Sequence, residues 1–351
     1  MEDIELTQRE QFVLTSVIER FIASAAPVGS KLIENGCKGA ISSATIRNVM
    51  SDLESRGFVK QPHTSAGRMP TDKGYRFYVD SLMPVAKLTV NEKKSIFSTL
   101  VRVSKDVENV LEAASQTLAR ISNQLGIALA PRFYEGVFDK IELIPLSYKK
   151  ILVVISIQSG LVKTITLEIE KDISRERMEE SARIINERLH GLTLKEIQHT
   201  IDKRLNGVVI GESGFIDFVI NSSSRLFSDM SPQDLHLGGT ANIMSLPDFS
   251  DKASIVKIME LIDDKEILIH LINEENNVEL IPDNNIRISI GDEHKKDLVS
   301  HCSLITTTYE VGHISGTIGI MGPTRMHYSK LVAIVDYMAK VLADIFKVNK
   351  D

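Results

Sequence analysis

Apolar side chains recur at helical spacing through most of the first sixty residues. Thr7 and Glu10 form a capping-box pattern, in which each side chain satisfies a backbone donor of the first turn. The apolar residues that follow at helical spacing are Leu14, Val17, Ile18, Phe21 and Ile22. A short helix over 30–35 and a third helix over about 43–56 come next, and glycines separate and end them. The pattern therefore predicts three helices in this region.

The third predicted helix has an apolar face and a polar face. Its apolar residues are Ile46, Val49, Met50 and Leu53. Ser42 or Ser43 can supply the N-cap, and Thr45, Arg47 and Asn48 lie on the other faces. Arg and Asn can form paired hydrogen bonds to guanine and adenine edges, and a helix N-terminus favours phosphate. An ordinary solvated helix face has the same composition, so this pattern leaves both interpretations open.

A predicted hairpin follows the third helix. Residues 58–61 are typical of a strand, and 62–67 form a turn of small polar residues before the return strand. The polar residues of the turn and its far side are His63, Thr64, Ser65 and Arg68. A fourth helix begins after Thr71 and contains Lys73 and Arg76. Three helices and a hairpin predict a winged helix, whose third helix enters the major groove while the hairpin reaches the backbone or minor groove.

Five sequence segments carry a resemblance to a known family. They are PVGSK at 27–31, SSATIRN at 42–48, QPHTSAGR at 61–68, PTDKGYR at 70–76 and GPTRMHY at 322–328. Together they resemble the family of the heat-inducible transcription repressor HrcA, and they span nearly the whole chain. Val49 departs from the family pattern, which commonly has an acidic residue after the Arg-Asn pair.

Beyond Pro84 the pattern alternates between helices and strands. A helical stretch over 89–125 has apolar residues mostly spaced four and three, which fits either a dimer seam or packing against its own domain. The predicted strands are 137–146, 150–158, 161–170, 286–290, 302–309 and 317–322. Predicted helices cover 174–190 and 324–347. This order predicts an α+β domain that holds an insertion.

The predicted fold class is α+β, with an N-terminal winged helix-turn-helix. The resemblance implies that the rest is a GAF-like α+β domain interrupted by an inserted dimerisation domain. The expected divisions are the winged helix over 1–84, a linker helix and first part of the GAF-like domain over 85–205, the insertion over 206–287, and the second part over 288–351.

Charge is distributed unevenly along the chain. The whole sequence carries a formal charge of -6, yet residues 42–78 hold six cations and three anions, a local +3 that leaves −9 elsewhere. Residues 248–283 alone carry ten acids against three lysines. A small basic segment on an acidic chain predicts modest non-specific DNA affinity, so that two half-sites must be bound together.

Catalytic, metal and membrane chemistry are not indicated. Glycines over 312–322 lack the Lys of a phosphate-binding loop, and neighbours such as His301 and Cys302 point to opposite faces of a strand. Histidines occur singly, and only two cysteines are present, as is usual in a reducing compartment. We expect no signal peptide, because residues 1–6 are acidic and no apolar run follows a basic start, and no apolar run is long enough for a membrane span. We expect a cytoplasmic protein with no catalytic residues, no metal and no cofactor.

The resemblance implies a repressor of heat-shock chaperone operons. It would bind double-stranded DNA at an inverted-repeat operator as a homodimer, and the GroEL chaperonin would keep it active. The alternative is a winged-helix regulator whose GAF-like domain senses a small molecule. The candidate DNA-binding residues are Ser42, Ser43, Thr45, Arg47, Asn48, His63, Thr64, Ser65, Arg68, Lys73 and Arg76.

Overall fold

The fold is α+β, as the sequence predicts, and consists of an N-terminal helical unit, a five-stranded domain and an inserted lobe. It was obtained as a computed structural model. The structure describes residues 5–64, 66–103, 106–169, 173–205, 215–227, 234–274 and 285–347. Within these ranges, no helix combines the length with the apolarity that crossing a bilayer requires.

The N-terminal unit contains the predicted helices and hairpin. Its elements are α1 (Gln8–Ser24), α2 (Ser30–Gly36), α3 (Ser43–Ser55), β1 (Val59–Lys60), β2 (Met69–Pro70) and α4 (Asp72–Phe77). The capping box at Thr7 and Glu10 is present, which confirms the predicted start of α1. Strands β1 and β2 pair antiparallel, and Val28 pairs with Arg68 beside them. The hairpin is thereby tied to the segment between α1 and α2.

The centre of the molecule is an antiparallel five-stranded sheet. Its strands are β3 (Leu125–Leu129), β7 (Leu235–Gly238), β8 (Ile286–Ile290), β9 (Cys302–Val311) and β10 (Ile314–Pro323). They lie side by side in the order β7-β3-β10-β9-β8. One face packs against α6 (Val107–Ser122) and α14 (Tyr328–Lys347), beside α5 (Val90–Val101). The other face packs against α11 (Thr240–Met244), α12 (Lys252–Asp263) and α13 (Lys265–Glu274). Both faces of this sheet are therefore covered by helices.

A separate lobe interrupts the chain between β3 and β7. It holds the three-stranded sheet β4 (Phe138–Ser147), β5 (Lys150–Ile157) and β6 (Val162–Glu168), in that order. Its helices are α7 (Arg175–Leu189), α8 (Leu194–Leu205), α9 (Phe215–Asn221) and α10 (Ser223–Leu226). We call the described residues between 130 and 227 the inserted lobe.

The sheet topology divides the chain differently from the predicted insertion over 206–287. Strand β7 and helices α11 to α13 fall within that range, yet β7 pairs with β3 and the three helices cover the five-stranded sheet. The sequence pattern misses β7 because four residues are too short to show an alternation. The predicted range also includes residues 206–214, 228–233 and 275–284, which lie outside the described residues.

The predicted helix over 89–125 is replaced by two helices and the start of a strand. Helix α5 ends at Val101, and α6 ends before Asn123, whose φ of 55° is left-handed. Leu125 then begins β3. The remaining predicted strands agree with the structure to within three residues at either end, and β8 has the predicted bounds.

Candidate nucleic-acid interface

Helix α3 separates its apolar and polar side chains as the sequence predicts. Ile46 and Leu53 are completely buried, whereas Arg47 and Asn48 are exposed. No other described residue forms a hydrogen bond or ion pair with the side chain of Arg47 or Asn48. Val49, which departs from the family pattern, is buried on the apolar face. The departure therefore leaves the exposed polar face unchanged.

Two serines fix the N-terminus of α3. Ser42 does so by contacts within the helix, and Ser43 by contacts with α2. The Ser42 hydroxyl accepts a hydrogen bond from the Thr45 N–H at 3.3 Å and lies 2.9 Å from the Thr45 hydroxyl. The Ser43 hydroxyl lies 2.8 Å from that of Ser30, and the Ser43 N–H donates to the Glu34 carboxylate at 3.0 Å. Ser43 therefore connects α3 to α2, a contact that sequence reasoning missed because Glu34 is not adjacent.

The tip of the hairpin is exposed and internally braced. His63 and Thr64 are exposed, and Ser65 lies outside the described residues. The Gln61 side-chain amide donates to the Thr64 carbonyl at 2.9 Å and to the Ala66 carbonyl at 3.0 Å. Gln61 thus shapes the turn, a role that its place at the end of a predicted strand does not indicate.

Arg68 turns back from the hairpin toward α3. Its guanidinium pairs with the Glu54 carboxylate at 2.7 Å, and its side chain is 17% exposed. Its backbone exchanges hydrogen bonds with Val28 at 2.8 and 2.9 Å. Arg68 therefore connects the hairpin with the C-terminal half of α3, and only a small part of its side chain faces solvent.

The two cations of α4 have different surroundings. Lys73 is exposed, and its ammonium donates to the Arg56 carbonyl at 2.9 Å and lies 4.8 Å from the centroid of the Phe58 ring. Arg76 instead donates to both oxygens of Glu293 and, at 2.6 Å, to the Ile288 carbonyl. Arg76 therefore has partners in the five-stranded domain, and its candidate role in DNA binding stays a prediction.

The residues considered for catalysis or metal binding are dispersed. Cys302 is buried, which raises the pKa of its thiol to about 12, whereas His301 is exposed. His294 is buried with its Nε2 atom 3.2 Å from the Cys302 carbonyl, and burial lowers the pKa of its ring. Within the described ranges, no three His, Cys, Asp or Glu side chains come close enough to hold a metal ion.

Comparisons with known proteins identify the class of the chain. It is 38% identical over 352 residues to a heat-inducible transcription repressor of Prosthecochloris aestuarii, with 99% of both chains covered. It is 41% identical over 352 residues to a repressor of the same description from Chlorobaculum parvum, with 98% of this chain and 99% of the relative covered. These relatives are transcription regulators.

The family follows from these matches and from a sequence profile. The profile of the HrcA protein C terminal domain matches residues 108–332, and both relatives carry the name HrcA. The chain belongs to the HrcA family. A crystal structure of a hypothetical protein shares the fold, with a TM-score of 0.61, 23% identity, and coverage of 99% of this chain and 100% of the other.

Proposed function

We propose that this HrcA-family chain is a DNA-binding repressor of heat-shock chaperone operons, and that its N-terminal unit is a winged helix. The observation that carries the proposal is the exposed pair Arg47 and Asn48 on α3, which has no partner among the described residues. Guanidinium and amide groups at this place on a third helix suit base edges in a major groove. The exposed hairpin tip at His63 and Thr64 suits the neighbouring backbone or minor groove.

The other candidate residues take supporting roles in this proposal. Ser42 and Thr45 present hydroxyls at the N-terminus of α3, where phosphate is favoured. Ser43 and Arg68 hold α3 against its neighbours, and Lys73 supplies an exposed positive charge. Ser65, which lies outside the described residues, stays a predicted DNA-binding residue.

A homodimer on an inverted repeat is the second part of the proposal. The three-stranded sheet of the inserted lobe has the exposed apolar side chains Ile144, Leu146 and Val162, and the turn between β4 and β5 adds Tyr148. Leu152, which pairs with Ile144 across the sheet, is partly buried. An apolar sheet face of this kind suits contact with a second copy of the chain. The lobe would then be the dimerisation domain, inserted in a GAF-like domain.

Control by the GroEL chaperonin is the third part. Unfolded proteins occupy the chaperonin on heating, the repressor loses assistance in folding, and the operons are released. Sensing of a small molecule by the GAF-like domain has less support, because helices pack against both faces of the five-stranded sheet through buried apolar side chains.

Footprinting of the purified chain on DNA upstream of chaperone operons tests the proposal. The expected result is protection of both halves of an inverted repeat, with a larger active fraction after refolding in the presence of GroEL. Absence of a protected inverted repeat would contradict the proposal. An unchanged active fraction with GroEL would contradict its third part alone.

A further inference from the structure

Arg325 joins the N-terminal unit to the five-stranded domain. It lies between β10 and α14, and its side chain is 14% exposed. One guanidinium nitrogen donates to the Ile22 carbonyl at 2.7 Å, in the last turn of α1. In a continuing helix that carbonyl would accept from Ala26, but the Ala26 N–H donates to the Ser24 hydroxyl instead. Arg325 therefore supplies a hydrogen bond and a positive charge where the helix end favours both.

The same guanidinium is held in place by Asp248. Its two other nitrogens donate to the two Asp248 oxygens at 3.0 and 2.6 Å, in the paired geometry that only arginine provides. Phe249, the next residue, is buried in the core beneath α11 to α13. The end of α1 is thus connected through Arg325 to a rigid part of the five-stranded domain.

A second set of contacts stops rotation about this point. On α4, Arg76 pairs with Glu293, whose carboxylate also accepts from the Ile290 N–H at 2.8 Å. Asp72 of the same helix accepts from the Asp292 N–H at 3.1 Å. Two attachments on different helices fix an orientation, whereas one attachment alone would leave a pivot.

Buried aromatic rings fill the space between the two attachments. Tyr75 of α4 and Tyr328 of α14 have ring centroids 5.8 Å apart, and both residues are nearly inaccessible to solvent. The Tyr328 hydroxyl lies 2.7 Å from that of Ser303 and donates to the Thr324 carbonyl at 2.6 Å. The ring of Tyr328 is therefore itself held in place, and a changed orientation of the N-terminal unit would break this packing.

We propose that Arg325 is a positioning residue that determines which half-site spacing the repressor accepts. It fixes the direction in which α3 projects from the five-stranded domain, and it makes no contact with DNA itself. This inference rests on the proposed function, because two α3 helices must bind one inverted repeat. A rigid dimer matches one separation of half-sites, and inserting about 5 base pairs turns one half-site to roughly the opposite side of the duplex.

The test compares full-length wild type with Arg325→Gln on duplexes in which the half-sites of the footprinted repeat are kept, or separated by about 5 or 10 additional base pairs. For the wild type we expect the 5-base-pair insertion to reduce affinity by at least about tenfold, because the two half-sites can no longer be bound at once. For Arg325→Gln we expect a weaker complex at the original spacing and a reduction on insertion of less than about threefold, because a freed unit can reach both half-sites. Affinity for a single half-site is expected to stay unchanged.

Two further variants complete the design. Lys340→Gln also removes one positive charge, from an exposed pair with Asp336 on α14, and should keep the wild-type spacing profile. Asp248→Asn removes the anchor of Arg325 but leaves its bond to Ile22, and it should broaden the profile even if Arg325→Gln fails to fold.

Either of two results would overturn the inference. One is an unchanged spacing profile in Arg325→Gln, or in Asp248→Asn where the first variant does not fold. The other is tighter binding at every spacing, which would make the contact inhibitory. Wild type that binds no inverted repeat would instead refute the proposed function, so the two failures are distinguishable.

Discussion

Helices α3 and α4 are built alike and are used differently. Each begins after a hydroxyl residue whose side chain accepts a hydrogen bond from the first turn, Ser42 in one and Thr71 in the other. Each carries an arginine within the basic segment. Arg47 remains exposed on α3, whereas Arg76 on α4 is 23% exposed and paired with Glu293, 217 residues away. Local pattern thus predicts both helices, but only the folded chain decides which arginine remains available to a ligand.

The largest expected effect comes from Arg47→Ala. If Arg47 contacts a base, the variant should lose about 1–3 kcal/mol of operator binding per α3 helix, with less discrimination at one position of each half-site. Gel-shift titration against the operator and a scrambled duplex measures both. Arg47→Lys keeps the charge but lacks the paired geometry, so most of the loss should persist. If Arg47→Ala kept wild-type specificity, α3 would no longer differ from α4 in carrying an arginine that reads a base.

A smaller effect, on stability, is expected from Arg76→Ala. It leaves Glu293 partly enclosed without its cation, which should lower the free energy of unfolding by about 1–2 kcal/mol. Urea denaturation measures this change. Arg175→Ala, which breaks an exposed pair with Glu179 on α7, should cost about 0.5 kcal/mol or less. Equal costs in the two variants would show that Arg76 is no more important to stability than a surface cation.

The smallest effect is expected from Lys73→Ala. Lys73 is exposed, so the variant should weaken binding to specific and scrambled DNA alike, by less than about 1 kcal/mol near physiological salt. The slope of log affinity against log salt should fall by about one unit for each phosphate that the variant no longer neutralises. Binding measured between 50 and 200 mM salt, about the range over which this slope is resolved, checks the prediction. An unchanged slope would mean that Lys73 contacts no phosphate.

The sequence predicts an element correctly where a local signal, such as a capping box or a turn glycine, marks its boundary. Thr7 and Glu10 mark the start of α1, and Gly160, with φ at 89°, separates β5 from β6 as expected. Strand β3 is missed because Ile121 and Leu125 continue the helical spacing of α6. A short apolar run fits a helix or a buried strand equally well. Asn123, at the left-handed end of α6, is a local sign of the change.

In the candidate site, too, the local sequence predicts which side chains are exposed, whereas contacts between distant residues are not predicted. Arg47 and Asn48 are exposed, as expected of a polar helix face, because Ile46 and Leu53 determine which side is buried. The partners of Ser43 and Arg76 lie on other elements, and their positions depend on how those elements pack. Residue type therefore indicates what chemistry a side chain can perform, while tertiary packing decides where that side chain is directed.

Strand β3 has a consequence for how the chain folds. All five of its residues are buried, and it lies between β7 and β10, which both come much later in the sequence. The Tyr309 hydroxyl that binds the Leu129 carbonyl is 180 residues away. At the rate of ribosomal synthesis, on the order of 10–40 s pass between the synthesis of the apolar β3 and that of its distant partners. Strand pairing over such sequence separations is slow. The yield of folded protein therefore depends on whether the strands pair faster than the chain aggregates.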